Sequence, residues 1–174
     1  LFPGLFIAFI IAVSAIFFTQ KPAKALETFD FESRYLVHPG NQIWDFCLTP
    51  DGDQYHVFYH TISPDLQHPA NADTIWHAVS TDMRRWEILG PALTSGPDWW
   101  DAEALWAPDV VFDDQTQRWA MLYTGVDQGM VQRACLAWSE DLMIWTKAAE
   151  NPVFEPDSLI YFWAPDQNWS SFRE

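Results

Sequence analysis

A nine-residue pattern that occurs twice in this chain constrains its fold more than any other feature. Residues 78–86 (Ala-Val-Ser-Thr-Asp-Met-Arg-Arg-Trp) match residues 137–145 (Ala-Trp-Ser-Glu-Asp-Leu-Met-Ile-Trp) at Ala, Ser, Asp and Trp, 59 positions apart. An aromatic, apolar run precedes each copy, at Tyr55–Tyr59 and at Trp119–Tyr123, and a proline-containing segment comes after each. Because a unit of about 60 residues accommodates the four short strands of a propeller blade, the repeat predicts a β-propeller. A duplicated β-sandwich is the alternative.

The chain from Gln42 onward has the pattern of short strands throughout. Apolar runs alternate with Asp, Gly, Pro and Ser clusters, and no long run has the three-to-four spacing of an amphipathic helix. A hairpin is predicted over residues 106–125, where two apolar runs flank the polar turn Asp113–Gln117. Trp163–Asp166 repeats the sequence of Trp106–Asp109 and indicates the start of a third unit. The predicted fold class is therefore all-β.

Composition limits the kinds of partner. The formal net charge is -15, which argues against nucleic acid because a phosphate backbone requires a basic surface. The 11 tryptophans are suited both to a packed core and to stacking on the apolar face of a sugar. Cys47 and Cys135 are either a disulfide or two buried thiols, and the five histidines show no metal-binding spacing.

The N-terminal region predicts export. Residues 1–18 are almost wholly apolar, and Ala23-Lys24-Ala25 has the small-x-small form of a signal-peptidase site. Residues 1–25 are accordingly predicted to be a signal peptide, with an uncleaved membrane anchor as the alternative. The remaining residues, 26–174, are predicted to be the N-terminal part of a propeller domain that works outside the cytoplasm, secreted or periplasmic. No other membrane contact is expected.

Four motifs, taken in order and spacing, resemble those of a known group of enzymes. They are Ser-x-Asp-x-x-x-Trp, Trp-Ala-Pro-Asp-Val, Tyr-Thr-Gly and Asn-Pro-Val. Together they resemble the five-bladed β-propeller glycoside hydrolases: family 32, which comprises invertases and fructan hydrolases, and the related family 43 of arabinanases and xylosidases. The resemblance covers residues 40–174. It implies a five-bladed β-propeller of which about two and a half blades are present.

The resemblance also implies which carboxylates do the chemistry. Glycoside hydrolysis requires one carboxylate that attacks the anomeric carbon or activates water, and another acid that protonates the leaving oxygen. Asp45, at the start of the first predicted strand, matches the nucleophile of family 32 and the general base of family 43. Glu174 matches the aspartate that stabilises the transition state in family 32. Asp109 is the equivalent position of the second blade, either lining the cleft or capping its strand. The glutamate that acts as general acid is expected beyond Glu174, so this chain is predicted to be catalytically incomplete.

Three aromatic or imidazole side chains are the predicted sugar-binding residues. Trp44 and Trp106 adjoin strand starts, and His60 occupies the position of a sugar-binding glutamine in family 32. A structural histidine is the alternative for His60. The aromatic and acidic segment Trp99–Glu103 is expected to rim the cleft.

These inferences predict an exported glycosidase that cleaves β-fructoside, arabinoside or xyloside linkages in an oligo- or polysaccharide. No cofactor is required for such acid–base chemistry, and a structural cation in the central channel is left open. Around Asp45 the sequence is Trp-Asp-Phe-Cys-Leu where family 32 has Asn-Asp-Pro-Asn-Gly, and Glu174 stands in place of an aspartate. These departures leave a lectin-like propeller without catalysis as one alternative, and a structural propeller for protein contacts as another.

Overall fold

A computed structural model describes residues 35–64, 72–167 and 170–172 of the chain. The predicted signal peptide or anchor, residues 1–25, lies outside the described residues. Within them the strands are β1 (Gln42–Asp51), β2 (Gln54–Ile62), β3 (Thr74–Ser80), β4 (Glu87–Thr94), β5 (Ala104–Asp113), β6 (Arg118–Val126), β7 (Gln132–Ser139) and β8 (Thr146–Lys147). Two 3-10 helices cover Trp99–Asp101 and Pro165–Gln167. No helix in these ranges has the length and apolar character needed to cross a bilayer.

The strands form two sheets of four in chain order, β1-β2-β3-β4 and β5-β6-β7-β8. Every neighbouring pair is antiparallel, so each sheet is a simple meander. Each sheet contains one copy of the repeat, and β1 and β5 are the first, edge strands of their sheets. This arrangement is that of two successive propeller blades, and the predicted all-β propeller fold is confirmed.

The repeated Ser-x-Asp motif forms the same turn in both sheets. Asp82 accepts hydrogen bonds from the N–H groups of Arg84 (2.8 Å) and Arg85 (2.9 Å). Asp141 accepts them from Met143 (2.8 Å) and Ile144 (3.0 Å) in the second copy. These bonds to the charged form lower the pKa of both carboxyls. Each aspartate thus closes the turn between the third and fourth strands of its sheet.

The main hydrophobic core lies between the two sheets. Its buried members are Phe58, Ile75, Leu93, Leu105, Met121, Tyr123, Cys135, Ala137, Leu142 and Trp145. Trp145 packs edge-on against Phe58 of the other sheet, with ring centroids 5.4 Å apart, and its Nε1–H donates to the carbonyl oxygen of Leu142 (3.0 Å). Trp145, the Trp of the second repeat copy, therefore returns onto its own turn and joins the two sheets.

The cysteines do not form a disulfide. Cys47 is half-buried in β1, Cys135 is buried in β7, and both are free thiols. Burial is the main reason why the pKa of each thiol is raised to about 12. Of the two predicted possibilities, free thiols are found, with Cys135 buried and Cys47 half-buried.

The third repeat start does not form a strand. Pro165–Gln167 adopt a 3-10 helix, whereas the matching residues of β5 continue as extended chain. The difference lies in the residues immediately after each motif. Asp109 precedes Val-Val-Phe, whose β-branched and aromatic side chains favour a strand, and Asp166 precedes Gln-Asn-Trp, which has no β-branched residue.

Candidate active site

The two predicted catalytic aspartates that the structure describes both lie at irregularities of edge strands. In β1 the register with β2 shifts between Trp44 and Phe46, which makes Asp45 the extra residue of a β-bulge. In β5 the register with β6 shifts between Trp106 and Asp109. Both carboxylates are exposed. Bulges redirect side chains and recur beside active sites, so these positions suit groups that must reach a substrate.

The β5 bulge contains an unusual backbone conformation. Ala107 has φ of 48°, in the left-handed region that residues with a Cβ seldom adopt. Its side chain is buried, so the surrounding core holds the conformation. Strain of this kind, of order 1–3 kcal/mol, persists where neighbouring structure enforces it and is concentrated at functional sites. It places Asp109 on an exposed position immediately after two buried residues.

The strands that carry the two aspartates pack against each other across the sheet-to-sheet interface. Thr49 Oγ1 of β1 donates to the carbonyl oxygen of Val110 of β5 over 3.5 Å. Burial, and after it the negative charge of Asp109, raises the pKa of Cys47 to about 12. Asp109 is therefore close enough to β1 to act electrostatically on a residue two positions after Asp45.

A pocket of about 260 Å³ adjoins Asp109 on the outer face of the second sheet. Phe172 lines it together with Thr124 and Ala134. The segment that carries Phe172 is attached to β7, because the N–H of Gln132 donates to the carbonyl oxygen of Ser170 (2.8 Å). The segment that follows the third repeat start thus reaches the Asp109 pocket through Phe172. Glu174 itself lies outside the described residues, and its role stays a prediction.

The three predicted sugar-binding residues differ sharply in exposure. Trp44 is 43% exposed and keeps an accessible ring, tilted 49° to His60 with centroids 6.5 Å apart. His60 is 1% exposed, which fits the structural alternative. Trp106 is 2% exposed and packs with Ile62 and Val126 in a second core cluster. An indole so placed offers no open face to a sugar, and the binding roles of the three residues stay predictions.

The residues of Trp99–Glu103, the segment expected to rim the cleft, differ in burial. Trp99 is exposed, whereas Asp101 is fully buried. The Asp101 carboxylate accepts from Lys147 Nζ (2.6 Å) and from the Tyr123 hydroxyl (3.0 Å). Burial raises the pKa of Asp101, opposed by the hydrogen bond and positive charge of Lys147. Asp101 is therefore a structural acid that joins the loop to β6 and β8. That the segment Trp99–Glu103 rims the cleft stays a prediction, for which Trp99 is the exposed side chain.

Sequence reasoning missed the bulges and the Phe172 contact. In β5, Ala107 and Pro108 lie opposite the single residue Tyr123, and Pro108 was the available signal, because proline inside a sheet is confined to edges and bulges. Asp45, the extra residue of β1, has no such signal. Within residues 35–64, 72–167 and 170–172, no three His, Cys, Asp or Glu side chains are grouped to hold a metal ion. The site thus offers two exposed carboxylates, each with an aromatic side chain nearby. Trp44 is next to Asp45, and Phe172 lines the same pocket as Asp109.

Comparison with known proteins gives a consistent result. The family model for the N-terminal domain of glycosyl hydrolases family 32 matches residues 47–173. A fructan 1-exohydrolase of Leymus chinensis is 34% identical over 126 residues, which are 69% of this chain and 19% of that protein. A beta-fructofuranosidase (insoluble isoenzyme) of Arabidopsis thaliana is 32% identical over the same shares of both chains.

A solved structure agrees with the sequence matches. Fructan 1-exohydrolase IIa from Cichorium intybus superposes with a TM-score of 0.61 and 26% identity, over 75% of this chain and 26% of that one. The chain thus spans about a quarter or less of the length of these relatives.

Proposed function

This chain belongs to glycosyl hydrolase family 32, and from that premise we propose that the protein is a glycoside hydrolase that acts on fructans. The observation that carries the proposal is the pair of exposed aspartates, Asp45 and Asp109, at bulges of two edge strands that pack against each other. The names of the relatives, fructan exohydrolase and beta-fructofuranosidase, support a β-fructoside over an arabinoside or xyloside substrate.

We assign Asp45 as the nucleophile. Its carboxylate oxygen bonds to the anomeric carbon as the glycosidic C–O bond breaks, and a separate acid protonates the leaving oxygen. Water then hydrolyses the fructosyl–enzyme ester and regenerates the carboxylate. The proton donor is proposed to lie outside the described residues. Asp109 is proposed to stabilise positive charge on the sugar ring from the neighbouring strand, and Trp44 to contact the ring's apolar face.

The test is the Asp45→Asn variant of the full-length protein. An amide is a far weaker nucleophile than a carboxylate but has nearly the same shape, so kcat on sucrose and on 1-kestose should fall by at least about 10²–10⁴-fold. Asp51→Asn is the matched control, because Asp51 is an exposed aspartate at the opposite end of the same strand. Equal activity of Asp45→Asn and Asp51→Asn would remove Asp45 from the chemistry. Sugar binding without turnover in the unmodified protein would favour the lectin-like alternative.

Export is a second part of the proposal. It is supported by the apolar run of residues 1–18 and the Ala-x-Ala site that ends at Ala25. N-terminal sequencing of the protein recovered outside the cytoplasm should find Leu26 as its first residue. Recovery of the intact apolar segment in the membrane fraction would support the anchor instead.

A further inference from the structure

A second site, apart from Asp45 and Asp109, is built around Arg133 near the start of β7. The Arg133 side chain is buried and lies 2.6 Å from both Asp127 Oδ2 and Glu155 Oε1. The other oxygen of Asp127 accepts from the N–H groups of Gly129 (2.8 Å) and Val131 (3.0 Å). Charge-assisted bonds of this kind hold both the arginine and the β6–β7 turn in one arrangement.

Trp99 is fixed in place by that arginine. The Arg133 guanidinium lies 5.0 Å from the centroid of the Trp99 ring and 5.9 Å from that of Trp163. Trp100 packs edge-on against Trp99, with centroids 6.0 Å apart and ring planes at 81°. Trp99 nevertheless remains 56% exposed. This large aromatic side chain is held by a cation–π contact and a ring contact, yet is mostly open to solvent. It is therefore preorganised to bind a ligand.

The space beside Trp99 is a pocket of about 430 Å³. Its lining residues are Pro97, Trp99, Ala102, Asp127, Gln128 and Gly129. None of them lines the pocket beside Asp109. The Trp99 pocket therefore differs from the site already described.

The chemistry of this pocket selects its ligand. An indole face binds apolar C–H groups, and the Asp127 carboxylate and Gln128 amide are partners for hydroxyl groups. The net charge of -15 disfavours an anionic ligand. A neutral sugar residue, with one apolar face and a rim of hydroxyls, meets each of these requirements.

We propose that the Trp99 pocket is an accessory subsite that binds a sugar residue of the fructan chain at a distance from the bond that is cleaved. This inference rests on the proposed function for the identity of the chain. Asp127 comes directly after β6, five residues beyond Leu122, which pairs with Asp109. Five strand residues span roughly 17 Å, so several linked sugars bridge the two sites and a single sugar does not. The subsite therefore contributes to long substrates.

The experiment compares chain lengths in the full-length enzyme. For Trp99→Ala, the ratio of kcat/KM on a long-chain fructan to kcat/KM on 1-kestose should fall about tenfold, which corresponds to about 1.4 kcal/mol of lost binding. The loss should appear in KM for the long substrate. Trp99→Phe keeps a flat apolar ring and should retain most of the ratio. A ratio that Trp99→Ala leaves unchanged, or that Trp99→Phe lowers as much, overturns the subsite.

The matched control is Trp138→Ala. Trp138 also contacts an arginine, since the Arg118 guanidinium lies 4.5 Å from its ring centroid. Trp138 lies near the end of β7, whereas Arg133 lies near the start of that strand. The ratio for Trp138→Ala should equal that of the unmodified enzyme. If the kcat/KM ratio fell equally in both variants, the cause would be a general loss of stability, and the proposal would be overturned. Thermal unfolding of each variant shows whether the fold is retained.

A binding measurement separates this inference from the proposed function. Electrophoretic retardation in gels that contain long-chain fructan should be weaker for Trp99→Ala than for Trp138→Ala, whether or not the protein hydrolyses the polymer. Retardation that depends on Trp99 without turnover would refute the hydrolase and keep the sugar site. Turnover with retardation that is independent of Trp99 would keep the hydrolase and refute the site.

Discussion

At the scale of single residues, the least expected feature is a buried pair of histidines. His56 Nδ1 and His77 Nε2 are 2.9 Å apart in a hydrogen bond, and Phe58 stacks on His77 with ring centroids 4.3 Å apart. Burial, and then the nearby His56, lowers the pKa of His77 to about 4. Burial also lowers the pKa of His56, against the opposing charge of Asp51. Both rings are therefore neutral in the folded protein near neutral pH.

The histidine pair should make the fold sensitive to acid. The unfolded chain binds protons at these residues below pH 6.5, whereas folded His77 resists protonation until about pH 4, so stability falls across that window as the pH is lowered. Lowering the pH from about 7.5 to about 4.5 should, through this pair, reduce the free energy of unfolding by about 2 kcal/mol. Urea denaturation at the two pH values measures this loss. The His56→Leu/His77→Phe double variant should lack this part of the loss. An identical pH dependence in both proteins would contradict the prediction.

At the scale of the strand and its connections, Gly125 explains the Tyr-Thr-Gly motif in physical terms. A Cβ at this position would lie 2.7 Å from Cys135 Sγ and 2.8 Å from the carbonyl oxygen of Trp100. The end of β6 thus approaches both β7 and the 3-10 helix that carries Trp99–Asp101. The close approach brings the buried Asp101 within reach of Tyr123 and Lys147.

Gly125→Ala should therefore destabilise the protein. One contact is with backbone, which cannot yield as a flexible side chain does, so the unfolding free energy should fall by about 1–3 kcal/mol. Gly52→Ala is the comparison. Gly52 lies in an exposed turn at φ of 55° with open space around it, so its cost comes from backbone conformation alone. Urea midpoints of the two variants test this, and a Gly125→Ala protein as stable as the original would show that the loop moves freely away.

At the scale of the whole molecule, both outer faces of the two-sheet stack are apolar. Phe46 and Leu48 are exposed on the first sheet, on the face that Val57 and Tyr59 share. On the second sheet, Val111 and Leu122 are exposed on the face opposite Met121 and the central core. Exposed apolar side chains in such rows mark surfaces that another layer covers. Successive blades of a propeller provide that layer on both sides.

Residues 26–174 expressed alone should consequently be poorly soluble, because uncovered apolar faces and sheet edges promote association. Replacing Val111 and Leu122 by Lys should raise the soluble fraction of this piece. The same double substitution in the full-length protein should instead be destabilising by about 2 kcal/mol or more, since it buries charge between blades. Light scattering and urea denaturation measure the two effects. A monodisperse, cooperatively melting monomer of residues 26–174 would show that these faces need no further blades to cover them.

The strands, the repeated turns and the family could be inferred from the order of residues alone. These depend on local interactions, such as Asp82 and Asp141 bonding to N–H groups two and three residues later, and on alternation along each strand. The burial of Trp106, His60 and Asp101 and the exposure of Trp99 are set by the packing of the two sheets. The same packing sets the strand register, and with it the bulges at Asp45 and immediately before Asp109. The reason is that exposure and bulges depend on which strand or sheet lies opposite, and residues distant in sequence provide that partner.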